Sequence, residues 1–423
     1  MSDPAPATRR PVPALCLVYL AFGMPIAMLG VAWPTLRDEL GRADGDLGLL
    51  VLAYGLGRLA TSASSGSLLA RVRYGRVAAV TLVGIALADV WVATSPSWAW
   101  LVVAVTVVGL LSGVLDSLGA RYLAVAGSVR EAGLAAGSYG VGATIGPVVL
   151  ALTDSVLVGF ATAAGVALIA SAMVADPRLA WPGELTLRRD PAPPTPPVPA
   201  VVPTGTAAEV RGDVVAGVPE PPAERLPARV LLTDPAVLVS LGLFAAFVGI
   251  EVTAGGWLAA VLEDARGFDD RLAGLAVGGF WGGVTVGRLL LGRIDLPDRA
   301  LLVSVVVLLV CFSALTVAPP ALAVPLVVVA GLAQAPQFPT LMARTGDRVG
   351  ASAAGRVSGW QLIAANVGGT GLGALTGLIV DATGPAAPLA VLVLITAFGG
   401  LLLAAAGRQR AVVAARAASG QTT

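Results

Sequence analysis

The sequence consists mainly of apolar stretches of about 20 residues, the length that a helix needs to cross the hydrocarbon core of a membrane. Hydrophobic residues make up 56% of the chain and charged residues only 13%, well outside the range of soluble domains. The sequence therefore predicts an all-α integral membrane protein with twelve transmembrane helices. The stretches lie near 14–36, 46–70, 76–95, 98–123, 130–151, 154–175, 236–262, 271–293, 299–318, 321–343, 353–380 and 385–406.

A segment of different composition, residues 176–233, separates the sixth stretch from the seventh. It holds thirteen of the thirty prolines and has no long apolar run. Such a composition is typical of an extended or disordered tether. We therefore predict three parts: an N-terminal six-helix bundle (1–175), a proline-rich cytoplasmic linker (176–233) and a C-terminal six-helix bundle (234–423).

The arginines are distributed unevenly between the two sides of this predicted membrane topology. Of the 27, 21 fall on the side of both termini, four on the other side and two within stretches. The positive-inside rule then places both termini and the linker in the cytoplasm, in a multi-pass protein of the inner (plasma) membrane. The first stretch has no small-residue cleavage site after it, so we expect an uncleaved first helix.

The composition also excludes several kinds of function. All 27 basic residues are arginine, so the chain has neither the lysine of a phosphate-binding loop nor a histidine that could relay protons. Cys16 and Cys311 lie in opposite halves with no ligand cluster around them, so we predict no disulfide, metal or cofactor. No nucleophile–base pair is evident, so we expect no enzyme. A net charge of +1 argues against nucleic-acid binding.

The two halves of the chain resemble each other at a constant offset of 226 residues. "FGMPIAMLGVAWP" in the first stretch corresponds to "FVGIEVTAGGW" in the seventh. Parallel repeats of six helices are typical of carriers that rock two bundles around a site at the middle of the membrane. The glycine pairs at this offset are Gly23 and Gly249, Gly30 and Gly256, Gly48 and Gly274, Gly57 and Gly283, and Gly66 and Gly292.

These twelve stretches resemble the major facilitator superfamily. "GIEVTAGGW", "FWGGVTVGRLLLGRI" and "FPTLMAR" are similar to the branch of the fucose–proton symporters. "GLAAGSYGVGATIGP", residues 133–147, resembles instead the fifth-helix motif of proton-coupled exporters. The resemblance implies a monomer in the lipid bilayer, with two six-helix bundles around a central cavity for a small-molecule substrate (the major facilitator fold).

Two carboxylates are the predicted sites of proton coupling. Glu251 lies near the middle of the seventh stretch, where an ionised carboxylate costs roughly 2.5–3.5 kcal/mol. A group that is neutral in one state and charged in another suits coupling to a conformational change. Asp116, among small residues of the fourth stretch, is the second candidate. The structural alternatives are a permanently protonated Glu251 that bonds a neighbouring helix, and an Asp116 that pairs with Arg58 or Arg121.

Arg58 lies too deep in the second stretch for its guanidinium to reach water, and needs a carboxylate or a cavity. We predict a structural ion pair of Arg58 with Asp89 or Asp116. Arg288 and Arg293, near the end of the eighth stretch, are predicted to belong to a gating loop.

Amide and tryptophan side chains accumulate in the second half. Amides bond hydroxyl groups and aromatic faces stack on rings, so as a set they would suit a hydroxylated solute. Helix-to-helix hydrogen bonds and interfacial anchoring are the alternative for each of them. The predicted substrate-binding residues are Gln334, Gln337, Gln361, Asn366, Trp257, Trp281 and Trp360.

Three functions are compatible with these features. The first is a secondary transporter that moves a small polar solute, such as a sugar, by proton-linked alternating access. The second is a proton-driven exporter of drugs or metabolites. The third, from another class, is a membrane sensor or scaffold that transports nothing.

Overall fold

The computed structural model describes residues 10–68, 74–125, 129–179, 181, 227–291 and 298–418. The first half of the chain contains six long helices that reverse direction at each connection. They are α1 (Val12–Leu40), α2 (Leu47–Leu68), α3 (Tyr74–Ala93), α4 (Trp98–Val125), α5 (Val129–Thr153) and α6 (Val156–Val174). Helix α1 packs against α5 and α6, and α2 packs against α4. A single 3-10 turn, Asp44–Asp46, leads into α2.

The second half repeats this arrangement with more interruptions. Its helices are α7 (Ala228–Leu231), α8 (Pro235–Ala260), α9 (Asp270–Leu291), α10 (Asp298–Leu315), α11 (Pro320–Gln334), α12 (Gln337–Ala343), α13 (Thr345–Val349), α14 (Ala351–Thr383) and α15 (Ala387–Ala418). Helix α8 continues into one π-helical turn, Val261–Ala265. It packs against α14 and α15, and α9 packs against α11.

The prediction of an all-α membrane protein with twelve spans is confirmed. Ten helices among the described residues are long and apolar enough to cross a membrane, and α2 and α10 occupy the two remaining predicted spans. The predicted tenth span is broken into α11 and α12 at Ala335–Pro336, since proline has no N–H to continue the helix. Most of the predicted linker lies outside the described residues, so the predicted domain boundaries stay a prediction.

The internal repeat is present in the packing of the helices. A Cβ atom at Gly57 of α2 would stand 2.6 Å from the carbonyl oxygen of Thr106 in α4. One at Gly283 of α9 would stand 2.5 Å from the carbonyl oxygen of Val328 in α11. Both glycines therefore permit the same backbone contact in their own half. The pair Gly66 and Gly292 lies outside the residues whose packing is described.

The two halves meet through corresponding helix pairs. Helix α2 packs against α14, and α9 packs against α5. Small residues carry both contacts: Gly48 approaches the Cα of Gly377, and Gly274 approaches the side chain of Ala151. Residues 377 and 151 are themselves separated by the offset of 226. The halves are thus related by an approximate two-fold axis that runs between α1 and α8.

Candidate functional site

A cavity lies on this axis, between the two halves. The empty space among its lining atoms amounts to about 720 Å³, of which about 80 Å³ can hold the centre of a water-sized sphere. That is several times the space that one water molecule needs. Its walls come from α1, α2 and α5 of the first half and α8, α9 and α14 of the second. Each half therefore contributes three helices, as a site shared between two moving bodies requires.

One end of the cavity is closed. We call the face of the membrane at which α1 begins and α15 ends the terminal face, and the other the opposite face. At the opposite face, Arg37 of α1 donates hydrogen bonds to Asp264 of the second half at 2.7 and 3.3 Å, and to Asp44 at 2.7 Å. The backbone N–H of Gly45 donates to Asp381 of α14 at 2.8 Å. These contacts join the halves directly.

Arg58 lines the cavity and forms an ion pair at the middle of α2. Its Nε donates to Oδ2 of Asp116 in α4 at 2.7 Å, and its Nη2 contacts the same oxygen. Of the two predicted partners, Asp116 is the one that pairs. The pair of Arg58 with Asp89 is wrong: Asp89 is fully buried in α3, and both its carboxyl oxygens have no hydrogen-bond partner among the described residues.

A second ion pair crosses from α8 to α9. Nη2 of Arg288 lies 2.5 Å from Oε2 of Glu251, and the two side chains are 23% and 11% exposed. Arg288 thus holds a carboxylate inside the membrane, which corrects its assignment to a gating loop; Arg293 lies outside the described residues. Glu251 follows the cavity-lining Val248 by three residues and precedes the cavity-lining Gly255 by four, so it lies on the same side of α8 as these two. The pair therefore lies directly behind one wall of the cavity.

The three glutamines predicted to bind substrate are buried, and each donates a hydrogen bond to a neighbouring helix. Nε2 of Gln334 donates to the carbonyl oxygen of Phe247 at 2.8 Å, and Nε2 of Gln337 donates to Ser304 at 2.8 Å. Nε2 of Gln361 donates a third such bond, to the hydroxyl of Ser240 in α8, at 2.7 Å.

None of the three glutamines is among the residues that line the described cavity, so the expectation that they line it is wrong. The hydroxyl of Thr345 donates a hydrogen bond of 3.0 Å to Oε1 of Gln361. Amides at membrane depth must be bonded, and here other helices supply the partners of all three Nε2 groups. Oε1 of Gln334 and Oε1 of Gln337 are buried without a partner among the described residues. Asn366 does line the cavity, while its Nδ2 donates to the carbonyl oxygen of Leu362 at 2.8 Å.

The three predicted tryptophans have different surroundings. Trp257 is buried in α8 and donates from Nε1 to the carbonyl oxygen of Gly373 in α14 at 3.1 Å, so it is a packing residue. Trp360 packs against a small cluster around Val357, away from the cavity. Trp281 lines the cavity, and its Nε1 is buried without a hydrogen-bond partner in the described structure.

Residues 15–373, most of the chain, match the sequence pattern of one known protein family. The chain belongs to the Major Facilitator Superfamily. It is accordingly a multi-pass membrane protein of a transporter family. No curated protein matches it significantly in sequence.

Solved facilitator structures share the fold at low sequence identity. The nucleoside transporter NupG is 13% identical with a TM-score of 0.68, and the match covers 93% of this chain and 98% of that one. A bacterial homologue of the human lysosomal transporter Spinster, inward-facing and occupied, is 14% identical with a TM-score of 0.62 over 95% and 98%. Its unoccupied form is 16% identical with a TM-score of 0.61 over 94% and 95%. At these identities the likeness shows the fold alone.

Two tyrosines that were not predicted from the sequence line the cavity of this facilitator. Tyr54 of α2 and Tyr139 of α5 both line the cavity. Tyr139 lies within electrostatic range of Arg58, Asp116 and Glu251. A signal existed for Tyr54: the 226-residue offset aligns it with Phe280, so one half carries a hydroxyl where the other has none. The same offset aligns Tyr139 with Ala365, so the same signal existed for Tyr139.

Proposed function

We propose that this chain is a secondary active transporter that carries a small solute across the membrane by alternating access and is driven by a proton gradient. The observation that carries the proposal is the Glu251–Arg288 pair, which joins α8 to α9 inside the membrane, behind the cavity wall. Membership of the facilitator family and a cavity shared between two pseudo-symmetric halves support the alternating-access part.

Proton binding at Glu251 would change how α8 and α9 hold each other. An ionised carboxylate at this depth needs a compensating charge, which Arg288 supplies at 2.5 Å. Protonation removes that need and weakens the attraction between the helices. Because both helices line the cavity, the protonation state of Glu251 then biases the arrangement of the cavity walls. Asp116, paired with Arg58 in the first half, is the second candidate for the same role.

Orientation follows from the arginine distribution. With 21 of 27 arginines on the side of the termini, the terminal face is cytoplasmic in an inner (plasma) membrane. The closure through Arg37 and Asp264 then faces outward, and the conformation is the one with its outer end shut.

Export is the second candidate direction. The walls of the cavity are mainly aliphatic, aromatic and glycine residues, with Arg58 the only charged one among the described lining residues. Such walls suit a lipid-soluble compound that enters the cavity on its way out of the cell. The same proton-binding residue would serve, with solute and proton moving in opposite directions.

The test begins with purified protein and a panel of small metabolites, sugars and lipid-soluble compounds, each scored for thermal stabilisation. Compounds that stabilise are then followed in proteoliposomes with an imposed pH gradient. We expect Glu251→Gln to exchange the solute across the membrane but not to concentrate it, since the site no longer changes charge. Asp89→Asn is the matched control, since this buried carboxylate is not among the described lining residues, and it is expected to retain concentrative transport.

The exchange measurement shows that the Gln variant is folded and binds the solute. Should that variant leave Arg288 too poorly compensated to fold, Glu251→Gln combined with Arg288→Gln replaces it. Concentration of solute by a Glu251 variant at the wild-type level would refute proton coupling at this residue. Collapse of transport by a protonophore in right-side-out vesicles indicates import, whereas the same result in inverted vesicles indicates export.

A further inference from the structure

One cavity-lining side chain has a polar atom without a partner. Nε1 of Trp281 is buried and has no hydrogen-bond partner among the described residues, and the residue is only 6% exposed. The hydroxyl of Tyr54, in contrast, lies beside the hydroxyl of Ser112 in α4. Buried polar groups in folded proteins are nearly always bonded, so the exception at Trp281 needs an explanation. An indole N–H is a pure donor, which calls for an acceptor atom in whatever fills the space.

The packing around Trp281 keeps its indole in place. A Cβ at Gly255 of α8 would stand 2.6 Å from Cζ2 and 3.0 Å from Nε1 of the ring. Only glycine leaves room for the indole there without displacing it, so α8 and α9 together fix the position of the donor. The unpartnered N–H of Trp281 therefore belongs to a closely packed part of the cavity wall and not to a loosely packed side chain.

The remaining walls oppose a solute that is rich in hydroxyl groups. Ile26, Leu29, Leu47, Val51, Val248 and Val252 supply aliphatic surface on several sides. Hydroxyls pointing at these walls would lose their water without gaining partners, which is unfavourable. An apolar or aromatic body, in contrast, would bury its surface against them and leave its acceptor for the indole N–H of Trp281.

Net charge in the ligand is also disfavoured. Arg58 is the only charged residue among the described lining residues, and Asp116 already neutralises it through two contacts to one oxygen. An anionic solute would have to compete with Asp116 for the guanidinium, and a cationic one finds no carboxylate in the described lining. The cavity wall therefore offers a hydrogen-bond donor, the indole N–H of Trp281, but no uncompensated charge.

We propose that the cavity binds an uncharged, mainly apolar solute of aromatic character whose carbonyl-type acceptor is bonded by Nε1 of Trp281. The inference rests on the proposed function in that it names the substrate class of the same cavity. The proposed substrate is therefore not a sugar but a compound with one apolar body and one acceptor group.

The experiment measures binding to the full-length protein with three probe sets of similar size. These are uncharged aromatic amides such as N-benzylbenzamide, aromatic carboxylates such as 4-benzylbenzoate, and disaccharides. Each is titrated against wild type, Trp281→Phe and the matched control Trp360→Phe, which alters a tryptophan outside the cavity. The readout is the concentration dependence of the unfolding temperature, which reports ligand binding to the folded state.

We expect the amides to stabilise wild type and Trp360→Phe alike, and to bind roughly tenfold more weakly to Trp281→Phe, since the phenyl ring keeps the shape but loses the donor. Stabilisation by disaccharides or carboxylates with the amides inactive overturns the inference, as does an amide affinity that Trp281→Phe leaves unchanged, or no stabilisation by any set. Binding without proton-driven transport would leave this inference standing and refute the proposed function instead.

Discussion

Gly30 of α1 and Gly256 of α8 lie in direct contact at the crossing of the two helices that begin the two halves. A Cβ atom at Gly30 would stand 2.3 Å from the carbonyl oxygen of Gly256 and 2.9 Å from its Cα. These glycines are equivalent under the 226-residue repeat, so the contact lies on the two-fold axis itself. The relationship is nevertheless not symmetric, because a Cβ at Gly256 would meet open space.

This asymmetry predicts different outcomes for two chemically identical changes. Gly30→Ala forces α1 away from the backbone of α8 and is expected to destabilise the protein by roughly 1–3 kcal/mol, the usual range of overpacking. Gly256→Ala meets no obstacle and should be neutral, or stabilising by up to about 1 kcal/mol through helix propensity. Thermal unfolding in detergent compares them. Equal unfolding temperatures for the two variants would contradict the close approach of the halves at Gly30.

Removing one member of the Glu251–Arg288 pair should cost more than removing both. Arg288→Gln leaves an uncompensated carboxylate in the membrane. Breaking a fully buried pair costs roughly 3–5 kcal/mol, and the partial exposure of these side chains reduces this to about 2 kcal/mol. The double variant Glu251→Gln with Arg288→Gln removes both charges and should recover most of the loss. A double-mutant cycle on the unfolding free energy measures the coupling, and additive single effects would argue against the pair.

The ion network at Arg37 should govern closure of the opposite face. Arg37→Ala removes the contacts to Asp44 and Asp264, and charge pairs of this kind contribute roughly 1.4 kcal/mol together, or about tenfold in the closed fraction. A cysteine at Leu47, which lines the cavity, reports opening through its rate of labelling by a membrane-impermeant maleimide.

The background for that measurement is a chain whose two native cysteines are replaced by serine. Arg266→Ala is the matched control, because Arg266 lies at the same face but bonds carbonyl oxygens of Thr316 and Ala318 within the second half. Labelling should accelerate roughly tenfold in Arg37→Ala and stay at the wild-type rate in Arg266→Ala. An unchanged rate in Arg37→Ala would show that the network does not hold the face closed.

We expect that the protein does not need a negative charge at Asp89. It is fully buried in α3 with both oxygens unpartnered in the described structure, a position that an ionised carboxylate cannot hold at acceptable cost. Asp89→Asn should change the unfolding free energy by less than about 0.5 kcal/mol, and Asp89→Leu should raise it by roughly 1 kcal/mol. Asp116→Asn serves as the contrast, since it breaks the pair with Arg58 and should destabilise. A marked loss of stability in Asp89→Asn would reveal an essential carboxylate.

Several features of the candidate site were open to prediction because they depend on depth in the membrane. Glu251 and Arg58 were identified because a charge at the middle of an apolar stretch needs a partner or a cavity, wherever the neighbouring helices lie. Which partner each one has could not be derived. Arg288 lies 37 residues from Glu251, and Asp116 lies 58 residues from Arg58, so only the packing of the helices brings them together.

The glutamine amides also show why the partner of a polar residue could not be predicted from the sequence. Gln334, Gln337 and Gln361 are polar residues at membrane depth, a pattern that a binding site and a helix–helix hydrogen bond share equally. A rotation of a helix by a fraction of a turn decides between the two. The structure rotates all three toward neighbouring helices of the second half, and leaves the cavity to Tyr54, Tyr139 and Trp281.

By itself, the sequence determined the number of spans, the helical class and the two-fold repeat. These follow from local hydrophobicity and from residue spacing, which act along the chain and need no knowledge of distant contacts. Only the tertiary structure decided the ion-pair partners, the closed opposite face and the chemical character of the cavity. Each of these depends on which faces of helices far apart in the chain are turned toward each other, and that is settled by side-chain packing across helices, as between Gly30 and Gly256.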